Sequence, residues 1–285
     1  MPRSAPKFND HPYICAMFSK YTLARKYFQY RKKALNGKGH GIHSPFVYSF
    51  VREVLRDNRT YPCYQPLAAL RRILTTDERS IKVEDFGAGS RVIPSNIRRI
   101  GDIAKSSLKP KKYSRLLFRM VQKMQPSTIL EMGTCFGVTT AFLASGQKNA
   151  RVYTMEGAQA IAEVARHNFS ELGLNNIELI EGNFDTQLPE LTKRLAGQGI
   201  PLDFVFIDGN HRKEPTLRYF RELLPLLRED AVIVFDDIHW SEQMEEAWEA
   251  IKQSPEVTLT IDLFFIGIVF FRKENKVKQD FIIRF

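Results

Sequence analysis

This chain predicts an α/β fold, with a doubly wound, mostly parallel sheet preceded by a helical annex. Three observations lead there. From residue 128 onward, short apolar runs alternate with amphipathic runs of helical period. The first apolar run, Ile129-Leu130-Glu131-Met132, breaks at Gly133, and Gly137 follows four residues later, just before a helix-like segment. Charge is also divided: residues 1–125 carry a net +18 and residues 126–285 a net −8, which puts a boundary near Gln125–Pro126.

Taken in order, residues 1–12 are polar and contain Pro, as a loose tail would. A helix is expected over 16–35, then a Gly-rich break at 36–45. Ser44 and Pro45 make a good helix start, Ser as the cap and Pro in the first turn, and that helix should run to about Arg56. Another is expected from Pro66 to about Thr75. Residues 83–112 read as a loop with a short helix, rich enough in Gly, Ser and Lys to serve as a lid, or else as a plain surface connector. Tyr113–Met124 carries a helical stripe of Leu116, Leu117, Met120 and Val121. Strands are expected at 128–132, 151–155, 177–181, 202–207 and 231–235, with helices at 138–146, 159–172, 186–195 and 214–227. Strands alternating with helices imply five parallel strands joined by right-handed crossovers. A helix at 241–253 leads to two close runs, 257–261 and 266–271, which must pair antiparallel. The resulting division is a basic annex, 1–112, and a ligand-binding domain, 113–285.

Composition limits the function. At 44% hydrophobic and 26% charged the chain is globular, not disordered. Cys15, Cys63 and Cys135 are too few and too scattered for a disulfide framework or a zinc site. The N-terminus lacks the apolar core of a signal peptide, and the longest apolar run, 263–271, falls well short of the roughly 20 residues of a membrane helix. A cytoplasmic protein with no membrane span is the expectation. The basic half leaves a nucleic-acid or other anionic partner open, against the plainer reading of a solvated face, because its Lys and Arg are scattered rather than run together.

Ligands on such sheets bind beyond the C-terminal ends of the strands, so the residues there are the candidates. Gly133 and Gly137 lack a Cβ, which permits a tight turn and a close ligand approach. Glu156 ends the second strand, 23 residues past Gly133, where an acid can accept hydrogen bonds from both ribose hydroxyls of an adenosine. Asn183 is placed to bond an adenine edge and Phe184 to pack on its face. The fourth strand ends at Asp208-Gly-Asn-His211 and the fifth at Asp236-Asp237-Ile-His239. Three carboxylates on adjacent strand ends suit a hard divalent cation, or else bond only backbone and cofactor. His211 and His239 are candidate bases near neutral pH, each with a structural role as its alternative. His40 and His43 could cap the site; Trp240 and Trp248 read as helix packing.

ILEMGTCFG (129–137), YTMEG (153–157), LIEGNF (179–184), FVFIDGNH (204–211) and VIVFDDIHW (232–240) together resemble the class I S-adenosylmethionine-dependent methyltransferases, in particular the catechol/caffeoyl-CoA-type O-methyltransferases, over about residues 113–271. The resemblance implies a Rossmann-like methyltransferase fold, S-adenosyl-L-methionine as cofactor and a small-molecule acceptor. It implies that Glu131, Gly133, Cys135 and Gly137 line the methionine-ribose pocket, Cys135 standing where the usual turn has its middle Gly. It implies Mg²⁺ or another divalent cation on Asp208, Asp236 and Asp237, the last in place of the family's Asn, and it puts His211 where the family has a catalytic Lys. The G-x-G-x-x-G fingerprint of NAD enzymes is absent at this turn. GHGIHSPF (39–46) and the 83–90 stretch resemble the leader of bacterial methyltransferase-like proteins, a likeness that carries no activity. O-methylation of a small molecule is thus the leading expectation, with the annex forming part of the substrate pocket or a homodimer contact. A methyltransferase on RNA or another anionic polymer and a non-catalytic cofactor-binding protein are the alternatives.

Overall fold

The computed structural model describes residues 17–35, 37, 42–83 and 96–285. The loose tail, Cys15, His40, half of the Gly-rich break and the greater part of the 83–90 stretch lie outside these residues. The annex begins with α1 (Lys20–Lys33), capped by Ser19, whose Oγ accepts from the Thr22 backbone N–H at 3.1 Å. Ser44 and Pro45 open α2 (Pro45–Phe50) as expected, but α2 ends in one wide π turn, Val51–Leu55. After α3 (Tyr64–Thr76), β1 (Ser80–Lys82) pairs antiparallel with β2 (Ile97–Arg99).

The described part of the 83–112 stretch holds a short strand and a helix. β2 leads into α4 (Ile100–Ser107), where Ile100, Ile103 and Ala104 are buried. Gly101 lies so close to α3 that an added Cβ would stand 2.9 Å from the Asp77 carbonyl oxygen. A short basic strand and one helical turn of apolar residues left too little periodicity to reveal this packing. Residues 84–95 of the expected lid are outside the described structure.

α5 (Lys111–Met124) then feeds the main unit: β3 (Thr128–Met132), α6 (Val138–Gly146), β4 (Arg151–Glu156), α7 (Gln159–Glu171), β5 (Ile177–Glu181), α8 (Phe184–Gly197), β6 (Leu202–Ile207), α9 (Lys213–Leu223), β7 (Leu227–Asp236), α10 (Glu242–Gln253), β8 (Leu259–Asp262) and β9 (Ile266–Phe270). β10 (Gln279–Ile282), which no periodicity announced, completes one eight-stranded sheet of order β10-β8-β9-β7-β6-β3-β4-β5. Strands β3 to β7 are parallel; β9 runs antiparallel to both β7 and β8, and β10 lies parallel to β8.

Alternation along the strands sorts side chains to two faces. Ile129, Val152, Phe204, Phe206, Val232 and Val234 meet Val47, Phe50, Val51 and Val54 of the annex, with Leu116 and Leu117 of α5. Leu130, Met132, Val205, Ile207, Ile233 and Phe235 meet Leu188, Phe220 and Trp248 from α8, α9 and α10. The annex therefore shares its core with the sheet. Backbone ties reinforce it: the Leu35 N–H donates to Ile282 at 2.8 Å, the Phe18 N–H to Trp240 at 3.1 Å, and Tyr30 Oη to the Ile283 carbonyl. No helix among the described residues is long and apolar enough to cross a membrane.

Candidate active site

The sheet order reverses at β3, whose neighbours are β4 and β6, so the crevice at the C-terminal ends of β3 and β6 is the natural ligand site. Gly133 lies at its base with φ +110°, and a Cβ there would come within 2.1 Å of the Asp208 carbonyl oxygen. At Gly137, φ +77°, a Cβ would strike the Phe169 ring at 2.3 Å. Both glycines are required by the close approach of chain against chain.

Glu131 departs from expectation. Instead of lining a pocket it is fully enclosed, with one carboxylate oxygen accepting from the Thr140 hydroxyl and from Thr154 at 2.6 Å. Its other oxygen has no hydrogen-bond partner among the described residues. Burial, helped by the charges of Asp208 and Glu156 and opposed by the two threonine bonds, pushes the acid up to about 8. Glu131 is thus a largely neutral tie between β3, β4 and α6 at pH 7, and an exposed ligand surface is missing because the threonines close over it.

Cys135 takes the left-handed backbone, φ +48°, and its N–H donates to Glu156 Oε2 at 2.8 Å. Burial first, and then the Glu156 charge, hold its thiol protonated. Glu156 Oε1 accepts from the Ala158 N–H at 3.0 Å. The half-buried Glu156 carboxylate is therefore aimed by two backbone donors, the N–H groups of Cys135 and Ala158. At the end of β5, Asn183 Oδ1 caps α8 by accepting from the Asp185 N–H at 2.9 Å, which leaves its amide N–H₂ for other work. Phe184 packs over Gly209, where a Cβ would meet the ring at 2.6 Å, and stands edge-on to Tyr219. Glu156, Asn183, Phe184, Asp208 and His211 all remain partly open to solvent.

The carboxylates beyond β6 and β7 do come together, around a residue that sequence reasoning missed. The Lys109 ammonium lies 3.2 Å from each oxygen of Asp208 and hydrogen-bonds Asp236. Asp208 Oδ1 is 3.8 Å from His211 Nε2, and Asp237 follows with φ +53°. Burial opposes the charge on Lys109, but Asp208, Asp236 and Asp237 outweigh it and hold the amine protonated. Burial and then the Asp208 and Asp237 charges raise Asp236 well above the usual carboxylate range. Asp208, His211 and Asp236 could supply ligand atoms within 4.8 Å of one another. The ammonium already occupies the space between the two aspartates, so the donor set as it stands does not fit a divalent cation as well.

His239 is drawn away from this chemistry. Its Nδ1 meets Glu245 Oε1 and its Nε2 meets Asp262 Oδ2, both at 2.9 Å, and its ring stacks on Phe264. With a carboxylate at each nitrogen it is held as an imidazolium and has no lone pair for a base, contrary to the role entertained for it. His43 is exposed, and Trp248 is core, as expected. Near the carboxylates, Tyr113 packs edge-on to Phe265 at 5.9 Å and beside Phe285 at 5.8 Å, and Tyr27 of α1 lies 6.2 Å from Phe265. The annex and the C-terminus thus supply an aromatic wall next to the charged cluster.

Residues 130–238 match a family model described as a methyltransferase domain. The chain is 32% identical over 106 residues to the protein-L-isoaspartate O-methyltransferase of Chromobacterium violaceum, covering 37% of this chain and 43% of that protein. It is 32% identical over 111 residues to O-methyltransferase imqG of Aspergillus flavus, covering 38% and 44%. The matches thus span less than half the length of these curated relatives. Among solved structures it is similar to the O-methyltransferase from Bacillus cereus in complex with S-adenosylhomocysteine (TM-score 0.51, 21% identity, 79% of this chain and 97% of that one). It is also similar to the S-adenosylhomocysteine-bound methyltransferase PaMTH1 of Podospora anserina (TM-score 0.55, 15% identity, 90% and 97%). Those structural likenesses establish the fold, and with the matched segment they show that this chain carries a methyltransferase domain.

Proposed function

We propose that this protein transfers a methyl group from S-adenosylmethionine to an oxygen of a small molecule. The observation that carries the reading is a set of partly exposed groups at the strand ends on either side of the switch point: Glu156 with its two backbone donors, Asn183 and Phe184 after β4 and β5, and Asp208 after β6, which joins Asp236 around Lys109. Glu156 receives the ribose hydroxyls; the Asn183 amide and the Phe184 ring receive the adenine edge and face. When bound, the cofactor supplies an electrophilic methyl group on a sulfonium. The chain's own part is alignment, since displacement at carbon needs an in-line nucleophile more than acid-base machinery. The aromatic wall of Tyr113, Phe265 and Phe285 holds the acceptor over the cluster. His211 accepts the hydroxyl proton as the new carbon–oxygen bond forms and the carbon–sulfur bond breaks. A small acceptor is favoured over a charged polymer because the Lys and Arg of the annex are scattered along the chain rather than run together with interleaved aromatics.

Calorimetric titration of the full chain with S-adenosylhomocysteine tests this. The expected result is micromolar binding that Phe184→Ala weakens. Absence of binding by a folded wild-type protein overturns the cofactor assignment.

A further inference from the structure

We infer that the Lys109 ammonium is a built-in substitute for a divalent cation, so that the carboxylate cluster works without a metal and Lys109 is what excludes one. The position of the ammonium is the first reason. It is equidistant, at 3.2 Å, from the two Asp208 oxygens and bonded to Asp236, which is the place a cation shared by these carboxylates would occupy. A divalent ion needs oxygens at about 2.0–2.6 Å and cannot share that space with a nitrogen already in hydrogen-bond contact. Only 11% of the Lys109 side chain is exposed, and only 2% of Asp236, so the pair is sequestered rather than a surface ion pair that water and salt would loosen.

The second reason is that the lysine is anchored from behind. Arg71 on α3 donates to the Lys109 carbonyl at 2.6 Å and to the Leu108 carbonyl at 3.1 Å. Leu108 is buried with α4, and Pro110, immediately after the lysine, is the N-cap residue of α5. The backbone at Lys109 is therefore held between α3, α4 and the start of α5, and the side chain enters the cluster from a set position. Electrostatics supply the third. Asp208, Asp236 and Asp237 stand together in a partly buried site, and clustered carboxylates there are costly unless a cation or shared protons offset them. Lys109 brings one positive charge on a tether and needs no loading from solution. In methyl transfer, if the reading above holds, Lys109 is a positioning residue: it keeps Asp208 and Asp236 in one arrangement beneath the acceptor.

The test needs no methyl donor, so it can fail or succeed independently of the proposed activity. Full-length protein is titrated with Mn²⁺, followed by electron paramagnetic resonance and by the thermal midpoint. Wild type is expected to show no stoichiometric Mn²⁺ binding. Lys109→Ala is expected to bind one Mn²⁺ on the order of 100-fold more tightly than wild type, with a raised midpoint. Asp208→Asn in that background should abolish the gain. A variant that folds only when Mn²⁺ is present supports the inference equally. Stoichiometric binding by wild type that Asp208→Asn removes would overturn it, and that measurement requires no Lys109 variant. So would a folded Lys109→Ala protein with no gain in Mn²⁺ affinity.

Discussion

His239 gives the sharpest stability prediction. It joins three elements: α10 through Glu245, the end of β8 through Asp262, and, because Lys26 also bonds Glu245 at 2.8 Å, the annex helix α1. Burial alone would lower its pKa, but the bonds to Asp262 and Glu245 outweigh burial and bring it from 6.5 up to about 9. A rise of that size, at about 1.4 kcal/mol per pH step, is worth at most roughly 3 kcal/mol; the partial exposure of Glu245 reduces it to about 2 kcal/mol. The sign follows from the direction. A cationic acid with a raised pKa contributes its full stability below the unfolded value of 6.5, and the contribution disappears as pH climbs through 9. Urea unfolding of wild type and His239→Gln at pH 6, 7.5 and 9.5 measures this. Glu131, raised to about 8, makes both proteins less stable as pH rises from about 4.5 to 8, so it cancels in the difference. The stability gap between the two proteins should be widest at pH 6 and shrink by about 2 kcal/mol at pH 9.5. Parallel profiles for the two proteins across that range would refute the clamp.

Three further outcomes are expected. Glu156→Gln should lower S-adenosylhomocysteine affinity by on the order of tenfold or more with little loss of stability, because an amide oxygen can still accept from one backbone donor; calorimetry and a thermal melt separate the two effects. Glu156→Ala should weaken binding further and also destabilise by roughly 1–3 kcal/mol, since the N–H groups of Cys135 and Ala158 both lose their acceptor. Gly133→Ala should cost roughly 3 kcal/mol or more, read by denaturant unfolding, because φ +110° and the Asp208 carbonyl both oppose a Cβ.

How much of this could be read from the sequence depends on where the determining contacts lie. β3 and β6 fall at the expected residues because central parallel strands are short, apolar and bounded by turns, and the edge strand β5 does so because Ile177, Leu179 and Ile180 lie just before the Gly182 turn; all of this is local information. β7 starts at Leu227 rather than 231, because its first residues, Leu-Arg-Glu-Asp, are solvent-facing and carry no apolar signal. β10 went unseen for a related reason: Gln-Asp-Phe-Ile is an edge segment recruited by pairing with β8 about 20 residues earlier. Glu156, Asn183, Phe184 and Asp208 were legible because a parallel sheet places every strand end on one side, so position along the chain stands in for position in space. Roles were less legible than positions. The residues that distinguish Glu131 as a neutral tie are Thr140 and Thr154, and those that distinguish His239 as a clamp are Glu245 and Asp262; none belongs to the motif it modifies.

Lys109 is the extreme case. It sits 99 residues before Asp208 and 127 before Asp236, in a Lys-Pro-Lys-Lys stretch whose composition suggests only a solvated basic surface. What separates it from Lys111 and Lys112 is the Arg71 bond to its carbonyl and the burial of Leu108, neither of which has any sequence signature. The carboxylates themselves carried a partial warning. Asp237 adds a negative charge where the resembling family has Asn, and a more acidic cluster needs more compensation, whether from a metal, a proton or a side chain. Sequence reasoning offered a divalent cation, which the resemblance implies, or carboxylates that bond only backbone and cofactor. The structure places the Lys109 amine of the annex against Asp208 and Asp236, a contact that the region's excess of positive charge does not announce. One lysine in the right place here outweighs the net +18 of the region that contains it, because Coulomb interactions in a buried cluster are strong at 3 Å and those of scattered surface charges are screened.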